Sequence, residues 1–215
     1  MIQAIRNFIV RRTFAYKLRN RAMNMFSSFE NFKAIRKKAE ENRVAEGRKH
    51  NVLYFHKVDD PYSHLTVHYI EKFKNAYDVE FKPVLVGEED PAALHEPSLY
   101  TDYCLEDVKR IAPYYGVDFP GTNYPEKKLV NKANSILSSV SSEEFAPLAK
   151  IVSHALWSAD LAKLEELETT YKTSEEEVLE NLKKGNEIRN NCDYYFGSAF
   201  YYEKELYWGV DRLNH

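Results

Sequence analysis

The sequence predicts an α/β domain in which a long helical block separates a βαβ unit from a closing hairpin. Three observations carry this. First, two apolar runs, Asn51-Val-Leu-Tyr-Phe-His56 and Val79-Glu-Phe-Lys-Pro-Val-Leu-Val86, flank a helical stretch with Leu65, Tyr69, Ile70 and Phe73 on one face. Their length and β-branched or aromatic content suit buried strands, and the unit implies a parallel pair joined by a right-handed crossover. Second, no strand pattern is found from Gly87 to about Arg189, while helical periodicity recurs. Third, Phe200-Tyr-Tyr-Glu-Lys-Glu-Leu-Tyr-Trp208 carries aromatics on both sides of Glu203-Lys204, which reads as a hairpin.

Ahead of the first strand, Ile2 to about Ala45 contains neither Pro nor Gly and repeats apolar residues near helical spacing at Ile2, Ile5, Phe8, Ile9, Leu18, Met23, Phe26 and Phe29. This predicts one or two amphipathic helices in a leader, residues 1–50. The leader holds 13 Lys and Arg against 4 Asp and Glu, and the remainder 17 against 29, so a net charge of −3 conceals parts carrying +9 and −12. A basic amphipathic helix can lie on an anionic membrane, contact nucleic acid or pack on a protein partner; packing is the expected use, and nucleic acid is not the expected partner.

The first half of the α/β unit is assigned to residues 51–86. Between its strands Asp59-Asp60-Pro61-Tyr62-Ser63 marks a helix start, since Asp suits the N-cap and Pro the first helical position. Helices are predicted within the insertion, residues 87–190, at Tyr103–Tyr114, Lys127–Val140, Glu143–Trp157 and Ser174–Arg189. The second half, residues 191–215, contains the hairpin and then Gly209-Val-Asp-Arg-Leu213, which reads as the opening of a further helix. The chain stops at once, so the expectation is that this half continues in a longer protein.

Composition bounds the function. With 44% apolar and 29% charged residues the 215-residue chain can bury one good core. No apolar run approaches the roughly 18 residues of a membrane span, and the basic start lacks the apolar stretch of a secretory signal; a cytoplasmic location is the expectation. The two cysteines, Cys104 and Cys192, form no CxxC, which excludes a dithiol active site or a zinc knuckle within these residues. Each is expected to be a small buried apolar residue.

Three segments resemble the group that holds DsbA, kappa-class glutathione transferases and 2-hydroxychromene-2-carboxylate isomerases. Glu205-Leu-Tyr-Trp-Gly-Val-Asp-Arg-Leu213 is similar to that group's closing strand followed by Gly-x-Asp-Arg-Leu. Leu53-Tyr-Phe55 with Asp60-Pro-Tyr-Ser63 resembles its first strand and its Ser-Pro-Tyr-Ser or Cys-Pro-x-Cys turn. Val108-Lys-Arg-Ile-Ala-Pro-Tyr-Tyr-Gly-Val-Asp-Phe-Pro120, with Ala155-Leu-Trp157, is similar to the inserted helical domain. The likeness spans residues 51–213 and implies a thioredoxin-like fold with an all-helical insertion domain and an extra N-terminal helical segment.

The resemblance also implies a site. It places Asp60 and Ser63 at the catalytic positions, and Tyr62, Ser198, Ala199, Asp211 and Arg212 around glutathione or a related small molecule; no metal is expected. The departures matter. Where the family has a cysteine or a proton-donating serine, Asp60 offers a carboxylate that the helix dipole keeps ionised, and an ionised carboxylate donates no proton. At about 4 Å it repels a thiolate by about 4 kcal/mol at an effective dielectric of about 20. Ser198 stands at the family's cis-proline position, where a trans peptide is expected. The family's helper lysine has no counterpart in Glu96-Pro-Ser-Leu-Tyr100, whereas Asp211 matches an aspartate that helps to hold glutathione.

Several readings stay open. Asp60 is a plain helix cap, or else a general base or metal ligand together with His56, His64 and His68. Asp211 serves glutathione or simply a helix N-terminus, and the tyrosines around the hairpin line a cleft or fill a core. The chain is accordingly a glutathione- or small-molecule-binding relative of the isomerase and kappa-transferase branch, or a non-catalytic interaction module that holds a partner through the leader or the inserted helices. In a third reading, it is part of a disulfide oxidoreductase whose cysteines lie in another domain.

Overall fold

The computed structural model describes residues 14–88, 94 and 96–214, and contacts divide the chain into two units, Met1–Lys49 and His50–His215. In the first unit α1 (Phe14–Phe26) and α2 (Phe29–Ala45) are joined by Ser27 and Ser28. Ser28 caps α2 by accepting from the Asn31 amide. The part of the predicted leader helices that falls on residues 2–13 lies outside the described residues.

In the second unit four strands, β1 (Asn51–His56), β2 (Glu80–Leu85), β3 (Ala199–Tyr202) and β4 (Glu205–Trp208), form one sheet in the order β2-β1-β3-β4. β1 and β2 are parallel, and the other pairs are antiparallel. The βαβ unit and the hairpin therefore meet at the β1–β3 seam, where Tyr54 pairs with Phe200 and Phe55 with Ala199. Pro83 is tolerated because β2 is an edge strand. The two-residue turn at Glu203 and Lys204 has φ 45° and 70°, the left-handed geometry that matches the twist of a tight hairpin.

The helix after β1 is expected to run without interruption and is instead two short ones, α3 (Pro61–Val67) and α4 (Ile70–Ala76). Side chains cause the break. His68 Nδ1 donates to the His64 carbonyl at 2.8 Å, while the His68 amide turns to Leu65 at 3.3 Å. The Thr66 hydroxyl donates to the Tyr62 carbonyl at 2.9 Å, a back-bond that bends helices.

The insertion comprises α5 (Pro97–Ile111), a 3₁₀ turn at Ala112–Tyr115, α6 (Lys127–Ser138), α7 (Ser142–Trp157), α8 (Leu161–Glu168) and α9 (Glu175–Asn191). α5 begins six residues before the predicted Tyr103, with Pro97 in its first turn. α8 has no counterpart among the predicted helices; Asp160 caps it through the Lys163 amide and Leu164 anchors it in the core. Ser141 with Glu144 and Ser174 with Glu177 form capping boxes that fix the starts of α7 and α9.

Insertion and sheet share one core. Ala133, Ile136, Phe145 and Leu156 pack with Val52, Tyr54, Phe81 and Phe200 from one sheet face. Phe55, Val86 and Ala199 form a cluster with Tyr194 and Leu206 on the other. α9 crosses β2 so closely that a Cβ at Gly185 would stand 1.8 Å from the Leu85 carbonyl oxygen, which is why a glycine occupies that helix position. A third cluster, Leu65, Val108, Ala112, Val117 and Val210, binds α3 to α5 and to the 3₁₀ turn Val210–Arg212.

Candidate functional site

The turn between β1 and α3 is built around Asp60, whose backbone is extended at φ −91° and ψ 119° while Pro61 opens the helix. One carboxylate oxygen accepts the Tyr62 amide at 3.1 Å and the other accepts the Ser63 hydroxyl at 3.0 Å. These are the bonds of a helix cap, and they satisfy an amide that the first helical turn otherwise leaves unpaired. Tyr62 continues outward, its hydroxyl donating to Asp107 of α5 at 2.7 Å and its ring meeting Trp208 edge to face.

The loop opposite closes onto this turn. A Cβ at Gly197 would lie 2.8 Å from Lys57 Cβ and 3.0 Å from the Asp60 oxygen, so glycine permits an approach no other residue allows. Phe196 is stacked between Tyr100 and Trp208, with ring centroids 5.3 and 5.6 Å away. The remaining cavity, lined by Lys57, Asp60, Tyr100, Cys104, Phe196 and Trp208, holds about 40 Å³. That is space for a few waters at about 10–15 Å³ each, against roughly 300 Å³ or more for a drug-sized ligand.

The other sequence-predicted site residues do not converge there. Ser198 is fully buried, has φ 52°, and shares a 2.7 Å hydrogen bond with Thr66. No peptide bond among the described residues is cis. Ala199 is buried in the ladder between Phe55 and Trp208. Asp211 and Arg212 are exposed on the 3₁₀ turn, where the Arg212 guanidinium lies 3.4 Å from the Asp211 carboxylate. Arg212 instead edges a separate groove of about 400 Å³ formed by Phe73, Tyr77, Phe200, Tyr202 and Tyr207.

The histidines are structural partners. His64 Nε2 lies 2.8 Å from the Asp118 carbonyl, which can only accept, so that nitrogen carries the proton and the Ser153 hydroxyl donates to Nδ1 at 2.8 Å. Both ring nitrogens are thereby used. His56 lies 3.1 Å from the Tyr54 hydroxyl. Burial pushes the pKa of His56 down to about 3 and that of His64 down to about 4, and it lowers that of His68. Among the described residues no group of three or more His, Cys, Asp or Glu is arranged to hold a metal ion.

Two features escaped the sequence reading. Cys104 forms part of the wall beside Asp60, and burial raises its thiol to about 11, which removes it as a nucleophile at neutral pH. Asp107 anchors Tyr62, and burial, together with that hydrogen bond, raises the phenol above its ordinary range. Tyr100, Cys104 and Asp107 recur at i, i+4 and i+7, one face of α5, and that spacing is the signal that could have flagged them.

No family model and no curated protein matches the chain. Among solved structures it is similar to a 2-hydroxychromene-2-carboxylate isomerase, with a TM-score of 0.53 and 18% identity over 76% of this chain and 91% of that one. It is also similar to a candidate protein disulfide isomerase from Nitrosomonas europaea, with a TM-score of 0.55 and 14% identity over 78% of this chain and 95% of that one. At such identities the likeness is one of fold: the chain has the thioredoxin-like α/β architecture of these two proteins.

Proposed function

We propose that this chain is a thioredoxin-fold interaction module whose β1–α3 turn serves as structure and not as a thiol or glutathione site. The observation that carries the reading is the use of Asp60. Its two oxygens cap α3 and hold Ser63, beside a cavity of about 40 Å³. Thioredoxin-type chemistry needs a thiolate, or a donor to one, at that position, and a carboxylate supplies neither. The glutathione reading has less support, because a tripeptide far exceeds the cavity and Asp211 and Arg212 do not line it. Partner contact falls to the aromatic rim, where Tyr195 and Trp208 flank Phe196 and remain two-fifths exposed.

The test is a glutathione titration followed by heteronuclear NMR, with insulin reduction measured in parallel. The expected result is no saturable shift at Ser63 or Asp211 at millimolar glutathione and no reductase activity. Saturable shifts at both residues would overturn the reading in favour of a glutathione-binding protein.

A further inference from the structure

We infer that the helices α1 and α2 form a docking surface for an anionic lipid bilayer. Helices of soluble proteins bury their apolar residues, yet these expose theirs: Leu18 is 59% accessible, Met25 62%, Phe26 64% and Phe29 73%. Phe32 and Ile35 are exposed as well. The positions follow helical spacing. Leu18 and Met25 lie two turns apart on α1, and Phe29, Phe32 and Ile35 follow one another at intervals of three on α2.

Charge identifies the partner. From residue 14 to 29 the chain carries Lys17, Arg19 and Arg21 with no acidic residue, and from 30 to 39 it adds Lys33, Arg36, Lys37 and Lys38 against Glu30 alone. The acidic residues further on are met locally, Glu40 by Arg43 at 2.5 Å and Glu41 by Lys37 at 3.8 Å. A surface that is both basic and studded with large apolar side chains matches the two demands of an anionic bilayer, whose headgroups attract the cations and whose acyl boundary accepts the apolar groups. A nucleic-acid backbone satisfies only the first demand. Among the described residues no helix is long and apolar enough to cross a membrane, so the mode is to lie in the interface.

The experiment is co-sedimentation of the full chain with phosphatidylcholine vesicles with and without phosphatidylserine. Binding is expected only to the anionic vesicles and is expected to weaken as salt rises. Arg19→Gln with Arg21→Gln should weaken it by about 25-fold, at about fivefold per cation. Phe26→Ser with Phe29→Ser should weaken it by about tenfold or more. Both pairs are exposed, and circular dichroism at equal helix content separates lost binding from lost folding. Absence of binding to anionic vesicles overturns the inference. So does binding that ignores the Phe pair, tighter binding to duplex oligonucleotides than to vesicles, or a dimer in light scattering that the Phe pair dissolves.

Discussion

Replacing Asp60 by alanine tests the structural account of the turn most directly. The substitution removes the acceptor of the Tyr62 amide, and losing an N-cap costs about 1 kcal/mol. It also strips the acceptor from the fully buried Ser63 hydroxyl, and leaving such a donor unpaired costs about 1 kcal/mol or more. The total is about 2 kcal/mol. For a unit of this size that corresponds to a fall in Tm of roughly 4–8 °C. Asp60→Asn retains one carbonyl oxygen for the Tyr62 amide and should cost about 1 kcal/mol, since Asn caps nearly as well as Asp but turns an NH2 rather than an acceptor toward the Ser63 hydroxyl. Thermal and urea unfolding of the three proteins give the comparison. The reasoning fails if alanine lies within about 0.5 kcal/mol of the parent, or if asparagine is as damaging as alanine. In the same set, Asp60→Ser should bind no glutathione despite restoring a hydroxyl, because the cavity stays too small.

Acid should destabilise the fold through His56, His64 and His68. Their folded pKa values lie below the unfolded value, so the unfolded chain takes up protons first. Stability is full above about pH 6.5 and falls as pH drops toward about 4 for His64 and about 3 for His56. By pH 5 the loss is roughly 1–2 kcal/mol per histidine, and urea unfolding of His64→Gln should show a shallower slope than the parent; an equal or steeper slope would count against the assignment. Gly185→Ala sets helix propensity, worth about 1 kcal/mol in its favour, against a Cβ 1.8 Å from the Leu85 oxygen. The clash should win, with a net loss of about 2 kcal/mol or more in chemical unfolding, and a stabilised variant would disprove the close approach. Cys104 and Cys192 are free and burial raises both thiols, so labelling by a thiol reagent at neutral pH should be slow in the native protein and fast in denaturant. Rapid native labelling of Cys104 would contradict its burial.

Much of this architecture could be read from local pattern. The run Asn51–His56 is a strand to the residue, because the apolar and aromatic residues Val52, Leu53, Tyr54 and Phe55 between polar ends leave no room for another period. The hairpin turn at Glu203-Lys204 stands where the aromatics change sides. Asp60-Pro61 is a helix start because cap and first-turn chemistry act across two or three residues. Where the helix after β1 breaks, a competing local bond is responsible: the His68 side chain takes the carbonyl that its own amide would use to continue the helix.

Element types, the capped turn and the absence of a CxxC thus follow from neighbours in the chain, where short-range bonding suffices. Whether the turn is a site does not. Its closure depends on Gly197 coming down on Asp60 from more than a hundred residues away, on Asp107 holding Tyr62, and on Phe196 filling the gap between Tyr100 and Trp208. The two ring nitrogens of His64 are likewise claimed by Ser153 and Asp118, partners set by packing of the insertion on the sheet. A cavity is the space left between such distant groups, so its volume is a property of packing and is carried by no segment of the sequence.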